Sequence, residues 1–157
     1  MSFRGTFYHT IDAKGRLSIP SGFRVELQRQ SDRAPILTNH RDSLHLYPYE
    51  DWLELEEGLG EVASVHPDAQ RFARWMISNA VDAPIDSQGR ILIPPFLRKR
   101  AQLGREVSIL GVGRRIEIWD KARLDTDLNG TLERFEEISR DLAPKLREAK
   151  KPISGGR

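Results

Sequence analysis

Asp12, Lys14, Gly15 and Arg16 fall within five consecutive residues, and the grouping returns as Asp86, Gln88, Gly89 and Arg90. Arginine's planar fork can bond a guanine edge through two hydrogen bonds, and its charge can meet a phosphate. Lysine is the simpler phosphate contact. The chemistry on offer is recognition of a polyanion; if that polyanion is duplex DNA, the residues divide the work. Arg16 either reads a base or anchors a phosphate, Lys14 contacts phosphate, and Arg4 supports them. Copy one offers two cations and copy two offers one, Arg90, so copy one is favoured as the main DNA contact. A plainer role is open to the same residues: Asp12 can pair with Arg16, and Asp86 with Arg90, to pin two turns. Both roles hold together if Asp orients Arg for DNA.

The elements that position these residues follow from the repeat itself. Residues 12–20 and 86–94 agree at five of nine positions, in the pattern Asp-x-x-Gly-Arg-x-x-Ile-Pro. Asp first and Gly fourth suit a type I turn, because Asp bonds the backbone two residues on and Gly accepts left-handed angles. Strand-like residues flank the first copy at 7–11 and 17–19, so each unit predicts a β-hairpin with Asp-x-x-Gly at its tip. Pro20 and Pro94 end the return strands and suit the first turn of a helix, predicted over 21–27 and 95–101. Alternation of period two predicts strands at 35–38 and 44–47, matched by 106–110 and 116–119. The copies are offset by 74 residues at the Asp and 72 at the last strand, which places a longer loop at 30–34 in copy one.

Around the repeats the pattern turns helical. An acidic helix is expected from about Trp52 through Glu57, ended by Gly58 and Gly60. A second is expected over 69–79, with Phe72, Trp75 and Met76 on one face as core or subunit interface. Leu124, Leu128, Leu132, Phe135 and Ile138 recur at helical spacing, interrupted by Asn129-Gly130, with Pro144 ending or kinking the tail and 145–157 polar and frayed. The organisation read from this is repeat one at 7–54, an acidic linker and amphipathic helix at 55–80, repeat two at 83–126, and a C-terminal helix and polar tail at 127–157.

Composition narrows the function classes. The chain has 157 residues and no cysteine, which leaves no disulfide and no thiolate site. It lacks an apolar run of membrane-spanning length and an apolar signal-peptide core, so the cytoplasm is expected. Charge is unevenly placed. Residues 1–45 carry seven Lys/Arg against four Asp/Glu, 46–69 none against seven, 70–116 nine against three, and 117–157 nine against nine. Basic repeats joined by an acidic linker point to a polyanion partner; the alternative is that the acidic segment neutralises the basic one within the fold or at a subunit contact. His9, His40, His45 and His66 lack metal-ligand spacing, and His40 and His45 are read as surface residues at best. No Gly-rich nucleotide motif is present. No metal, cofactor, small-molecule substrate or membrane partner is expected. An enzyme would need Asp12 and Asp86 to form a carboxylate dyad, yet a neighbouring cation and water keep each ionised in an exposed turn.

The doubled Asp-x-x-x-Arg unit, Phe3-Arg4-Gly5 ahead of it, and Gly-Arg-x-x-Ile-Pro in both copies resemble the MraZ family of transcriptional regulators with tandem SpoVT-AbrB-type half-repeats, over roughly residues 1–140. The family's motif residues carry onto Asp12 and Arg16, and onto Asp86 and Arg90. The resemblance implies an α+β, mainly β fold: a double-psi β-barrel built from two swapped half-repeats, with peripheral helices. It also implies ring-shaped homo-oligomers that bind short direct repeats in the promoter of the cell-division and cell-wall gene cluster, their own promoter included, as repressors. An antitoxin of the same half-repeat class, or another protein-interaction module, is the alternative, with 124–138 as its partner-binding segment.

Overall fold

The computed structural model of the chain describes residues 2–150. The chain divides into two units, one through Lys121 and one from Ala122. The first contains β1 (Phe3–Thr10), β2 (Arg16–Ser18), α1 (Ser21–Gln30), β3 (Ile36–Asn39), β4 (Leu44–Tyr47), α2 (Tyr49–Ala63), α3 (Pro67–Ile77), β5 (Val81–Asp82), β6 (Arg90–Leu92), α4 (Pro95–Arg100), β7 (Glu106–Gly113) and β8 (Arg115–Asp120). The second is built of α5 (Lys121–Glu133) and α6 (Phe135–Ala149).

The predicted strands are present, and their pairing interleaves the repeats. The main sheet is antiparallel with the order β1-β7-β8-β4-β3-β5. β1, from copy one, runs against β7, from copy two, in a register from Phe3↔Gly113 to Thr10↔Glu106. β4 pairs β8 across the same divide, with Leu44 opposite Ile118. β2 pairs β6 in a separate ribbon: Arg16↔Leu92, Leu17↔Ile91, Ser18↔Arg90. Each copy therefore supplies ladder partners that the other lacks.

Two expectations are corrected by this pairing. The Asp-x-x-Gly tips do not close β-hairpins, because the return strands pair with each other and not with the strands that precede the turns. Burial decides the matter. Leu17, Ile19, Ile91 and Ile93 are all at most 2% exposed, and the β2–β6 pairing sends all four into one core with Leu37, Leu46, Ile109 and Ile118. Fully burying one such aliphatic side chain is worth roughly 1.5–3 kcal/mol, more than a short hairpin ladder returns. The closed double-psi barrel is the second correction: the ladders leave an open sheet plus a two-stranded ribbon. β5 has two residues, and β2 and β6 have three each. Pro20 and Pro94 stand two residues beyond the ribbon strands and have no N–H with which to extend them.

A smaller cluster of Ile36, Trp52 and Met76 joins β3 to α2 and α3. β3 is buried throughout, and its polar residues bond to α3: Thr38 Oγ1 donates to Met76 O (2.6 Å) and Asn39 Nδ2 to Trp75 O (3.2 Å). Met76 is core as expected, while Phe72 and Trp75 stay partly exposed. α2 does not stop at Gly58 and Gly60 but continues to Ala63. Each interior glycine costs only about 1 kcal/mol of helix propensity, and α3 packs along the helix. The acidic segment meets the basic one where Arg114 Nε donates to Asp51 Oδ1 (2.9 Å) and Arg114 Nη2 to Glu54 Oε2 (2.6 Å), and again where Arg71 Nη1 donates to Asp68 Oδ1 (2.8 Å).

In the second unit α5 runs through Asn129-Gly130 and breaks only at Arg134, and Pro144 lies inside α6 without ending it. The expected polar, frayed tail is helical as far as Ala149; its last seven residues, 151–157, lie outside the described residues.

Candidate nucleic-acid interface

The two turns are built by the same bonds. In turn 1, Gly15 N donates to Asp12 O (3.0 Å) and Asp12 N to Arg16 O (3.0 Å). Asp12 Oδ1 then accepts from Lys14 N and Arg16 N (both 2.9 Å), while Oδ2 accepts from Arg16 Nε (2.7 Å). Turn 2 repeats this: Gly89 N to Asp86 O (2.9 Å), Asp86 N to Arg90 O (2.8 Å), and Gln88 N, Arg90 N and Arg90 Nε to the Asp86 carboxylate (2.8–3.0 Å). Gly15 and Gly89 hold φ of +84° and +80°, where a Cβ is strained.

Asp thus acts as the frame of each turn. The Arg16 backbone N–H, the Arg16 guanidinium and the Lys14 N–H hold the Asp12 carboxyl below its ordinary value of 3.8. The Arg90 N–H, the Gln88 N–H and the Arg90 guanidinium do the same for Asp86. Each carboxylate is committed to its own turn, which is the reverse of a dyad sharing a proton. The Asp–Arg pairs are the ones that spacing allowed. Because only Nε is engaged, the terminal nitrogens of Arg16 and Arg90 bond to none of the described residues, and each guanidinium is fixed in direction with its four remaining N–H donors to spare.

The ribbon register brings the two arginines together. Leu17 and Ile91 point into the core, so the alternation of a strand turns Arg16, Ser18, Arg90 and Leu92 to the opposite, outer face. Arg16 and Arg90 stand diagonally across it, two rungs apart. At about 3.3 Å per residue and 4.8 Å between strands their Cα atoms are roughly 8 Å apart. Lys14 is exposed on turn 1, and its side chain bonds to none of the described residues. Arg4 is not brought to turn 1. It stands opposite Val112 on β1, with its guanidinium on Ser2 Oγ (3.4 Å), and the strand runs on to Thr10 before the turn begins.

A family model described as "MraZ protein, putative antitoxin-like" matches residues 2–75 and again 76–141. The chain belongs to the MraZ family. It is 40% identical over 141 residues to a protein of Syntrophobacter fumaroxidans, covering 90% of this chain and 94% of that one. It is also 40% identical over 141 residues to a protein of Pediococcus pentosaceus (89% and 96% covered). A protein of Thermoanaerobacter pseudethanolicus is 41% identical over 138 residues (88% and 94%). All three are named "Transcriptional regulator MraZ", and the reading of this MraZ-family chain as something other than an enzyme stands on those names.

Two side chains at the turns were missed by the motif. Arg24 of α1 lies over Gly89, and Arg98 of α4 over Gly15. Both are the fourth residue after the motif proline, and the repeat offset that pairs the aspartates pairs them too. Carrying the comparison past the proline would have found them. His45 was misplaced: it is 4% exposed, not at the surface, with its ring stacked on His40 (4.3 Å between centroids) and Nδ1 2.9 Å from the Tyr47 hydroxyl. Among the described residues no acidic, histidine or cysteine cluster could hold a metal, and no helix is long and apolar enough to cross a membrane.

Proposed function

We propose that this chain is a sequence-specific, DNA-binding transcriptional regulator whose β2–β6 ribbon and two flanking turns meet the duplex. The observation that carries this reading is the common outer face of Arg16 and Arg90 on a ribbon made from both repeats. A two-stranded ribbon enters the roughly 12 Å major groove, and bidentate arginine–guanine contact is the commonest specific one there. Lys14 adds a phosphate contact at the edge, and Arg4 is a separate candidate phosphate contact at the far end of β1. A span of roughly 8 Å covers only two or three base pairs, so one protomer reads too little to be specific alone. Linking several identical sites raises avidity by about 10²–10⁴ when their spacing matches. This fits a ring-shaped homo-oligomer on tandem promoter repeats. The names carried by the relatives support regulation of transcription. The family resemblance supplies the finer reading: cytoplasmic, nucleoid-associated repression of the cell-division and cell-wall gene cluster, its own promoter included.

The test is fluorescence anisotropy with a duplex taken from upstream of this chain's own coding region, against a scrambled duplex, across a salt series. Selective and salt-sensitive binding is the expected result. A folded, oligomeric protein that binds neither duplex would overturn the reading.

A second reading has its own support. Leu128, Leu132, Phe135 and Leu146 on α5 and α6 are each at least half exposed, and the family description contains the word antitoxin-like. Recovery of a stoichiometric protein partner, combined with absent DNA binding, would favour an antitoxin or interaction module.

A further inference from the structure

The cations at each turn do not come from one repeat. Arg98 of α4 belongs to copy two, yet its guanidinium covers Gly15 of turn 1: a Cβ built there would lie 3.2 Å from Arg98 Cζ and Nη2. Arg24 of α1 belongs to copy one and covers Gly89 of turn 2, where a Cβ would lie 2.6 Å from Arg24 Cζ. The backbones interlock at the same places, with Ile93 N donating to Gly15 O (2.8 Å) and Ile19 N to Gly89 O (2.9 Å).

These two arginines differ from the motif arginines in one respect. Arg16 and Arg90 are paired with aspartates. Arg24 and Arg98 have no carboxylate or carbonyl partner among the described residues, and in both the Nε is buried without a hydrogen bond. Only Nε is shut away; the terminal nitrogens of both guanidiniums are not among the buried unpartnered atoms and stay open to an anion from outside the chain. The same arrangement occurs twice, at equivalent positions, beside the two turns.

The charge at each turn sharpens the point. In turn 2, Asp86 and Arg90 cancel and Gln88 is neutral, so Arg24 is what makes that turn cationic. Turn 1 keeps the Lys14 charge and gains that of Arg98, and the open cleft of about 620 Å³ beside it is lined by Asp12, Arg98 and Arg105.

We propose that Arg98 and Arg24 are phosphate-contacting residues, each completing the turn of the opposite repeat, so that the DNA-binding unit is one turn plus one cross-repeat arginine. The proposal rests on the DNA-binding reading above and adds residues to it. It predicts that both turns engage the backbone, turn 2 through Arg24.

The experiment is anisotropy with the same upstream duplex, comparing wild type with Arg98→Gln, Arg24→Gln, Arg98→Lys and Arg24→Lys over 50–200 mM salt, with melting curves for every variant. Each lost phosphate contact should make the log–log salt slope shallower by about 0.9 per protomer on the DNA. The glutamine variants should show this loss and the lysine variants should restore the slope, because a phosphate contact needs charge more than shape. Glutamine variants that keep the wild-type slope would overturn the proposal, whether or not affinity falls, since the arginines would then only brace the turns. Lysine variants that fold and still lack the wild-type slope would overturn it as well. Wild type failing to bind either duplex would instead sink the DNA reading beneath it.

Discussion

Ser18 stands opposite Arg90 across the β2–β6 ribbon, so the second motif arginine projects beside the strand that carries the first. Arg16 and Arg90 are parts of one surface and not two separate tips. If Arg16 reads a base, Arg16→Ala should cost roughly 1–3 kcal/mol on the tandem-repeat duplex and relax the preference over a scrambled one. Arg90→Ala should then weaken binding in the same experiment, because the two share a face. Equal losses on both duplexes for Arg16→Ala would make it a phosphate contact.

Asp12 holds Arg16 in direction and also places a negative charge beside the duplex. Asp12→Asn keeps an oxygen for the Lys14 and Arg16 N–H groups and removes the charge that fixes Nε. The expected result is tighter binding to scrambled DNA and a smaller specific-to-scrambled ratio. An unchanged ratio would show that the ion pair serves only the turn. Because the Asp12 carboxyl is held below 3.8, the carboxylate is intact at any pH used for such an assay.

Gly15 and Gly89 are conformationally alike, but their surroundings differ. Left-handed backbone costs a residue with a side chain roughly 1–2 kcal/mol, so both alanine variants should melt lower. Gly15→Ala should lose more, because its Cβ also meets the Ile93 carbonyl oxygen at 3.0 Å, which is backbone and cannot step aside. In Gly89→Ala the obstacle is the far end of Arg24, which can swing away. That variant should lose less stability and more DNA affinity. Thermal melts of the pair, read beside anisotropy, check the crossed pattern.

How much of this was legible follows from what the repeat encodes. The turns could be read because Asp, Gly and Arg act locally: the Asp12 bonds to Lys14 and Arg16 span at most four residues. Partner choice is non-local, so Leu17 and Ile91 gave the faces of two strands but not the fact that they face each other. The hairpin expectation failed at that step. Arg24 and Arg98 were hidden for a related reason, since each covers a glycine 65 or more residues distant in sequence. His45 looked like a surface residue because a histidine in an alternating strand has no periodicity that reveals a covering neighbour.

His45 makes the protein acid-sensitive in a definite window. Burial, with His40 and Arg115 nearby, pushes its imidazole from 6.5 down to about 3. Glu117 Oε2 lies 3.6 Å from Nε2, but Arg115 and Trp119 already claim that carboxylate (2.6 and 3.0 Å). The unfolded chain binds the extra proton, so stability is unaffected above 6.5 and falls as pH drops from 6.5 toward 3, by roughly 1.4 kcal/mol per pH unit. The depressed carboxylates add to this only at the acid end of the range: Asp12, Asp86 and Glu26 contribute above their unfolded values of 3.8, 3.8 and 4.5 and lose that contribution below them. Denaturant unfolding at pH 7.5 and 5.0 should show wild type losing about 2 kcal/mol more than His45→Gln. Equal losses would mean that His45 is protonated in the fold.

The interleaving of the repeats predicts what happens when the chain is divided. A segment of residues 1–80 keeps the β3–β4 hairpin and α2 and α3, but β1 loses β7, β2 loses β6 and β4 loses β8. Leu17, Leu44 and Leu46 are all 0% exposed in the whole chain, and their partners Ile91, Ile118 and Ile116 lie in the removed half. At roughly 1.5–3 kcal/mol for each large aliphatic side chain re-exposed, the loss is comparable to the 5–15 kcal/mol by which a domain is usually stable, because the removed half also carries Ile93, Leu97, Val107 and Ile109 of the same core. Residues 1–80 should therefore show no cooperative melting transition at concentrations where sedimentation finds a monomer. Residues 1–121 should melt in a single transition, with Leu17→Ala and Ile91→Ala lowering the same midpoint from opposite repeats, each by about 2–5 kcal/mol. A monomeric 1–80 segment with its own sharp transition would mean that each repeat carries a core of its own, and the composite ribbon would lose its physical basis.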